Sequence, residues 1–171
     1  MTLIIFDYDD TLFPTTYYSE HENLTKDDLF YVDAAISDMF SQLLEKKYTI
    51  IIITNGNMGW FNESLKLLPY TNNMIKYNSI RVISSRDVFE KTCVKYEDWK
   101  RFTVLNVLIN DYCSIDKVIG IGDSDVDHIA IKDSCNYVHK AYDFIKIPRS
   151  LPLKLFEEML DKLLKMLIKN K

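Results

Sequence analysis

The feature of the sequence that most constrains its fold is the alternation of short, strand-like apolar runs with longer segments of helical period. The runs lie at residues 3–6, 49–53, 79–84 and 117–122, and between them apolar residues recur at steps of three and four. This alternation is typical of a parallel sheet that is covered by helices on both faces. The sequence therefore predicts the α/β class, with three layers around a mainly parallel sheet.

The helical periods indicate where the connecting helices lie. We predict helices over about residues 28–46, over 60–68 up to Pro69, from Trp99 onward, and over 152–169, where the last helix packs on the sheet. The stretch after Pro69 is rich in Asn and Tyr and is predicted to be loose. Weaker strand signals follow at 136–138 and 144–147.

Composition excludes several classes of protein. A chain of 171 residues, 47% hydrophobic and 27% charged, is expected to form one globular domain over residues 1–171. Its formal charge of −4 disfavours general binding to nucleic acid or to anionic membranes. Four glycines are too few for a Walker loop or a complete dinucleotide fingerprint. We expect no membrane span and no secretory signal, and hence a cytoplasmic or otherwise intracellular protein.

Acidic residues follow directly after two of the predicted strands. Asp7, Asp9 and Asp10 come after the first strand, and Asp123 and Asp127 come after the fourth. Because the carboxyl ends of parallel strands meet at one edge of the sheet, we expect these carboxylates to crowd together there. Like charges this close need a cation, and a hard divalent ion such as Mg²⁺ is the natural candidate.

Four elements in this order resemble the haloacid dehalogenase (HAD) superfamily. They are D-x-D-x-T at residues 7–11, a strand that ends in Thr54, a lysine near a helix start, Lys100, and G-D-x-x-x-D at residues 122–127. The resemblance spans nearly the whole chain and implies a Rossmann-like HAD fold. The narrower pattern is similar to capless members of the superfamily found in protists and some viruses. It consists of Thr54-Asn55, Gly59-Trp60, Ser64, Ser85-Arg86, Trp99-Lys100 and Gly122-Asp123-Ser124.

The resemblance implies a catalytic role for two carboxylates. Asp7 would be the nucleophile that forms an aspartyl-phosphate, and Asp9 would be the general acid and then the general base. Magnesium would be held by Asp7, the backbone carbonyl of Asp9, and Asp123, with Asp127 as a direct or outer ligand.

Three further residues would bind the phosphoryl oxygens, namely Thr54, Asn55 and Lys100. Lys91 and Lys95 compete with Lys100 for this role, and we prefer Lys100 because it opens the helix beside Trp99. Asp10 and Asp125 are interpreted as solvated or capping residues rather than catalytic ones.

Both positions at which members of this superfamily carry a cap domain are short here. Residues 13–27 and 84–98 are each 15 residues long, whereas an independent domain needs about 50. We therefore predict no separate cap, a short flap at 13–27, and an open site suited to a phosphoprotein or another large substrate, while the oligomeric state stays open.

Three functions are compatible with these motifs. The leading one is a Mg²⁺-dependent phosphomonoester hydrolase. The alternatives are a nucleic-acid 3′-end phosphatase or nucleotidase, which the net charge disfavours, and a catalytically idle module that binds phosphate or protein. Transfer of the phosphoryl group to an acceptor other than water is left open.

Overall fold

The computed structural model describes residues 1–21, 23–92 and 94–169. Its five strands are β1 Thr2–Phe6, β2 Thr49–Thr54, β3 Arg81–Ser84, β4 Lys117–Gly122 and β5 Ala141–Lys146. The helices are α1 Thr15–Glu20, α2 Phe30–Glu45, α3 Met58–Leu65, α4 Pro69–Tyr77, α5 Ser85–Phe89, α6 Tyr96–Asn110, α7 Asp125–Tyr137 and α8 Leu153–Lys169.

The five strands form one sheet in the order β3-β2-β1-β4-β5, and every neighbouring pair is parallel. Alternate residues of each strand point to opposite faces, so β1 contributes Ile4 and Phe6 to one core and Leu3 and Ile5 to the other. The first core is covered by α2, α3, α4 and α8, and the second by α6 and α7. The predicted α/β class and three-layer Rossmann-like architecture are confirmed.

The chain after Pro69 is helical, so the prediction of a loose stretch there is wrong. Pro69 occupies the first turn of α4, where its missing N–H costs no hydrogen bond. The next two backbone N–H groups, of Tyr70 and Thr71, donate to the carboxylate of Asp33, which is buried on α2. A side chain 37 residues earlier in the chain thus satisfies the start of this helix.

Two other predicted boundaries differ from the structure. Residues 136–138 are not a strand, because α7 continues to Tyr137 and the fifth strand is Ala141–Lys146. The third long helix begins at Tyr96 rather than at Trp99, with Glu97 and Asp98 in its first turn, where acidic side chains interact favourably with the helix dipole. Lys100 therefore lies in the second turn of α6 instead of opening the helix.

The segments where a cap could be inserted are short. Of the predicted flap at 13–27, whose Glu22 lies outside the described residues, Thr15–Glu20 form a single short helix. In the described ranges between β3 and α6, the chain forms only the five-residue helix α5. The same ranges contain no helix with both the length and the apolar character that crossing a membrane requires.

Candidate active site

The carboxyl ends of two adjacent strands, β1 and β4, position the acidic residues together. Asp7 follows β1 directly, and its backbone N–H donates to the carbonyl of Ile121 on β4 at 2.8 Å. Asp123 follows β4, and Asp127 lies in the first turn of α7. Carboxylate oxygens of Asp7, Asp123 and Asp127 all lie within 4.8 Å of one another. This is the one acidic or His/Cys cluster of metal-binding geometry in the described part of the chain.

Lys100 reaches this cluster from α6. Its Nζ lies 2.5 Å from Oδ1 of Asp7 and 2.5 Å from Oδ1 of Asp127, and all three side chains are less than a tenth exposed. The structure thus places Lys100 at the carboxylates, whereas Lys91 and Lys95 are exposed and lie outside the cleft.

Burial and charge shift the pKa values of these groups in opposite directions. Burial raises the pKa of Asp7 to about 8, with Lys100 opposing the shift and the charge of Asp127 adding to it. Burial also acts to raise the pKa of Asp127, but Lys100 and the hydrogen bonds from Ser124 outweigh it and lower that pKa. Burial acts to lower the pKa of Lys100, and the two carboxylates outweigh it and raise that pKa. One ammonium thus shares its charge between two carboxylates.

A capping box with Ser124 and a close contact with Gly122 hold Asp127 in place. Ser124 and Asp127 form a reciprocal capping box at the start of α7, in which Oδ2 of Asp127 accepts from the backbone N–H and the hydroxyl of Ser124. A Cβ on Gly122 would lie 2.6 Å from that same oxygen, so only glycine fits there. With Oδ1 on Lys100 and Oδ2 on Ser124, both oxygens of Asp127 are engaged.

Asp9 is held by three hydrogen-bond donors. Its Oδ1 accepts from the hydroxyl of Thr15 and from the indole N–H of Trp60, both at 2.8 Å. Its Oδ2 accepts from the hydroxyl of Thr54 at 3.0 Å. The donors come from α1, α3 and the end of β2, so three separate elements fix the orientation of this carboxylate. The sequence alone does not indicate that Thr15 and Trp60 contact the site.

Asp10 serves as a turn residue. Its backbone has φ 54°, in the left-handed region that Asp tolerates better than most residues. Its carboxylate accepts from the backbone N–H and the hydroxyl of Thr16. Asp10 therefore joins the loop after β1 to the start of α1. Asp125, the other acidic residue interpreted as non-catalytic, is exposed and pairs with Lys146 at 2.6 Å.

The acidic cluster opens into a cleft of about 400 Å³. Six of the seven predicted site residues line it: Asp7, Asp9, Asn55, Lys100, Asp123 and Asp127. Thr54 is the exception, since it is buried and its hydroxyl donates to Asp9 and accepts from the N–H of Gly56. The structure thus places Thr54 behind Asp9 rather than on the cleft surface.

The cleft carries an excess of negative charge. Among the described residues that line it, five carboxylates face two cations, Lys100 and Arg149. Asn55 adds a buried side-chain oxygen that accepts no hydrogen bond from any described residue. Such an oxygen is costly unless a ligand or water supplies a donor. The cleft thus fits a hard divalent cation, because its carboxylate oxygens are suitable metal ligands and carry excess negative charge. The unpartnered oxygen of Asn55 fits a second ligand or a water that donates a hydrogen bond.

Arg149 is a functional candidate that the sequence alone does not indicate. It lies shortly after β5, and its Nε donates to Oδ2 of Asp123. Burial raises the pKa of Asp123, and this hydrogen bond opposes the shift. The only signal in the sequence is a basic residue just past a weak strand, which does not distinguish it from a surface residue.

Comparisons with known proteins find one family match. The profile of the polynucleotide kinase 3 phosphatase family matches residues 2–86, which hold β1, β2 and the first acidic loop. A comparison with curated protein sequences finds no match.

Two solved structures share the fold along nearly the whole chain. The Legionella pneumophila effector Ceg4 has a TM-score of 0.59 and 12% identity, over 96% of this chain and 93% of that chain. The HAD domain of the Legionella pneumophila effector protein Lem4 has a TM-score of 0.56 and 13% identity, over 94% of each chain. At these identities the likeness concerns the fold alone.

Fold and site define a Rossmann-like α/β protein with an acidic cleft at the carboxyl edge of its sheet. Three observations narrow the class of protein further, namely the order of the motifs, the family match and the shared fold. Together they support a protein of the haloacid dehalogenase superfamily.

Proposed function

We propose that the protein is a Mg²⁺-dependent phosphomonoester hydrolase that works through an aspartyl-phosphate on Asp7. The observation that carries this proposal is the buried contact of Asp7 with Lys100, beside Asp123 and Asp127, at the edge of the sheet where such folds bind ligands. A carboxylate with an ammonium at 2.5 Å is positioned to meet an incoming phosphate, because the ammonium attracts the anion that the carboxylate would repel.

The metal would be held by Asp7, Asp123 and the backbone carbonyl of Asp9. When bound, Mg²⁺ supplies positive charge that neutralises the phosphoryl oxygens and makes phosphorus more electrophilic. Asp127 has both carboxylate oxygens engaged, by Lys100 and Ser124. We therefore assign Asp127 to positioning Lys100, with any contact to the ion made through an outer shell.

The reaction divides into two steps on this chain's own residues. In the first, a carboxylate oxygen of Asp7 bonds to phosphorus while the ester P–O bond breaks, and Asp9 gives a proton to the leaving oxygen. In the second, Asp9 takes a proton from water, whose oxygen bonds to phosphorus and releases the carboxylate of Asp7. Lys100 and Asn55 line the cleft where they can contact the phosphoryl oxygens, and Thr54 orients Asp9.

The shape of the cleft supports a large substrate, such as a phosphoprotein. In the described part of the chain, only the short helices α1 and α5 occupy the places where a cap would cover the site. An uncovered cleft admits a phosphate that projects from a macromolecule.

A nucleic-acid 3′-end phosphatase or nucleotidase is the second candidate. It is favoured by the match to polynucleotide kinase 3 phosphatase, which includes Asp7, Asp9 and Thr54. The formal charge of −4 argues against it, because nucleic acid is repelled by an acidic surface. The ratio of kcat/KM for a 3′-phosphorylated oligonucleotide and a phosphopeptide decides between the two candidates.

Trapping of the covalent intermediate tests the mechanism. With para-nitrophenyl phosphate, whose leaving group needs no acid, Asp9→Asn should form the aspartyl-phosphate but hydrolyse it slowly. Mass spectrometry should then find a phosphate adduct on the peptide that contains Asp7, and Asp7→Asn should show none. A protein that binds Mg²⁺ yet never forms the adduct would instead be the idle binding module.

A further inference from the structure

Arg149 contacts one of the carboxylates that would hold a divalent ion. Its Nε donates to Oδ2 of Asp123, which is one of the three clustered carboxylates. The two terminal amino groups of its guanidinium donate no hydrogen bond to any residue that the structure describes. The side chain is 63% exposed and lines the same cleft as Asp7 and Lys100.

The backbone holds Arg149 at this place. The N–H of Ile147 donates at 2.9 Å to the carbonyl of Gly122, the residue before Asp123. Ile147 is buried and Pro148 restricts the next φ, so Arg149 begins two residues from a fixed anchor beside the cluster. Its position next to Asp123 thus follows from the register of the chain leaving β5.

The two cations of the cleft differ in their freedom to move. Lys100 is 5% exposed and contacts two carboxylates at once, so moving it would leave buried charges unpaired. Arg149 has a single hydrogen bond and an exposed side chain, so its guanidinium can move into water once another cation takes its place beside the buried carboxylate of Asp123. A divalent ion bound to Asp123 would compete with Arg149 for this carboxylate and would repel its guanidinium.

We propose that Arg149 exchanges partners when the site is loaded: it holds Asp123 in the metal-free protein, and it is released by the divalent ion to bind the phosphate of the substrate. This inference rests on the proposed function, because it requires the metal site formed by Asp7 and Asp123. A planar guanidinium with two free amino groups suits the paired oxygens of a phosphate. Arg149 is therefore a competitor of the metal and a binder of the anion.

Calorimetric titration of the metal-free protein with Mg²⁺ tests the first half of the exchange. Arg149→Gln should bind Mg²⁺ about two- to fivefold more tightly than the wild type, since the ion no longer competes with the guanidinium for Asp123. Lys146→Gln is the matched control, because it removes a positive charge from the same sheet end but pairs with Asp125 outside the cluster. Its affinity for Mg²⁺ should stay within twofold of the wild type.

Titration of the Mg²⁺-saturated protein with inorganic phosphate tests the second half. Arg149→Gln should bind phosphate about tenfold more weakly, from the loss of charge-assisted hydrogen bonds. Lys146→Gln should change this affinity far less. A variant that is merely misfolded would lose both affinities, whereas the exchange predicts changes in opposite directions.

The outcomes separate this inference from the proposed function. Unchanged or weaker Mg²⁺ binding by Arg149→Gln, or unchanged phosphate binding, overturns the exchange while the metal site stands. A wild-type protein that binds no Mg²⁺ at millimolar concentration contradicts the proposed metal site itself, and the exchange falls with it.

Discussion

The ammonium nitrogen of Lys100 lies 2.5 Å from Oδ1 of Asp7, although the two residues are 93 positions apart in the chain. The contact joins α6, on one face of the sheet, to the loop that follows the central strand β1. Because both side chains are buried, the pair is part of the folded structure as well as of the proposed catalytic site.

Replacing Lys100 with methionine should lower both stability and activity. The change leaves Asp7 and Asp127 buried beside each other without a counterion, which should reduce the free energy of unfolding by about 3–5 kcal/mol in the metal-free protein. Urea unfolding in EDTA measures this loss. Adding Asp7→Asn to the same chain should restore part of the stability, since one of the two unpaired charges is then gone.

Lys95→Met is the matched control for this experiment. Lys95 precedes the same helix but is exposed, so its loss should change the free energy of unfolding by less than about 0.5 kcal/mol. Equal effects of the two substitutions would contradict the assignment of Lys100 as the lysine of the site.

Replacing Trp60 with phenylalanine should slow catalysis while the protein stays folded. The change keeps an aromatic ring on α3 but removes the N–H that donates to Oδ1 of Asp9 at 2.8 Å. One of three donors that orient the proposed acid is then lost, and we expect kcat to fall about tenfold, which corresponds to a rise of about 1.4 kcal/mol in the activation free energy.

Trp99→Phe is the control, because it removes an indole hydrogen bond to the carbonyl of Val94 instead. It should leave kcat within threefold of the wild type. Equal losses of kcat in the two variants would contradict a specific role for the contact between Trp60 and Asp9.

The stability of the metal-free protein should fall as the pH rises from 5 to 8. Burial raises the pKa of Asp7 to about 8 and also raises the pKa of Asp123, whereas an unfolded Asp has a pKa of about 4. Between these pKa values the native state binds more protons than the unfolded state. The resulting contribution to the free energy of unfolding is therefore largest at low pH and is lost as the pH rises. The raised pKa of Lys100 and the lowered pKa of Asp127 contribute nothing that changes in this window.

Urea unfolding in EDTA at pH 5, 6, 7 and 8 measures this dependence. The free energy of unfolding should fall less steeply with pH in Asp7→Asn, because Asp123 is then the one of these two carboxylates that still titrates. Saturating Mg²⁺ should reverse the sign, because the ion binds ionised carboxylates and stabilises the folded state more as the pH rises. Identical slopes for the wild type and Asp7→Asn would contradict a protonated Asp7 in the metal-free protein.

The sequence predicts those site residues whose positions are determined by the end of a strand. The apolar runs before Asp7, Thr54 and Asp123 are fully buried strands, and parallel pairing brings their carboxyl ends to one edge. Residue type and strand position together are enough to expect five carboxylates there.

What the sequence does not predict depends on side-chain direction across long separations. The hydroxyl of Thr54 turns to Asp9 rather than to the cleft, and the carboxylate of Asp33 completes a helix that starts 36 residues later at Pro69. Arg149 reaches Asp123 only because the weak fifth strand pairs with β4 in one particular register. No local pattern encodes these contacts.

Hydrolysis of para-nitrophenyl phosphate by the wild type, Asp7→Asn and Asp125→Asn, each with Mg²⁺ and with EDTA, tests the central claim most directly. Asp125 is the matched control, because it is an exposed carboxylate two residues after Asp123. We predict turnover by the wild type and by Asp125→Asn in Mg²⁺, none in EDTA, and none by Asp7→Asn in either. Turnover that persists in Asp7→Asn would contradict a nucleophilic role for Asp7 and, with it, the proposed mechanism.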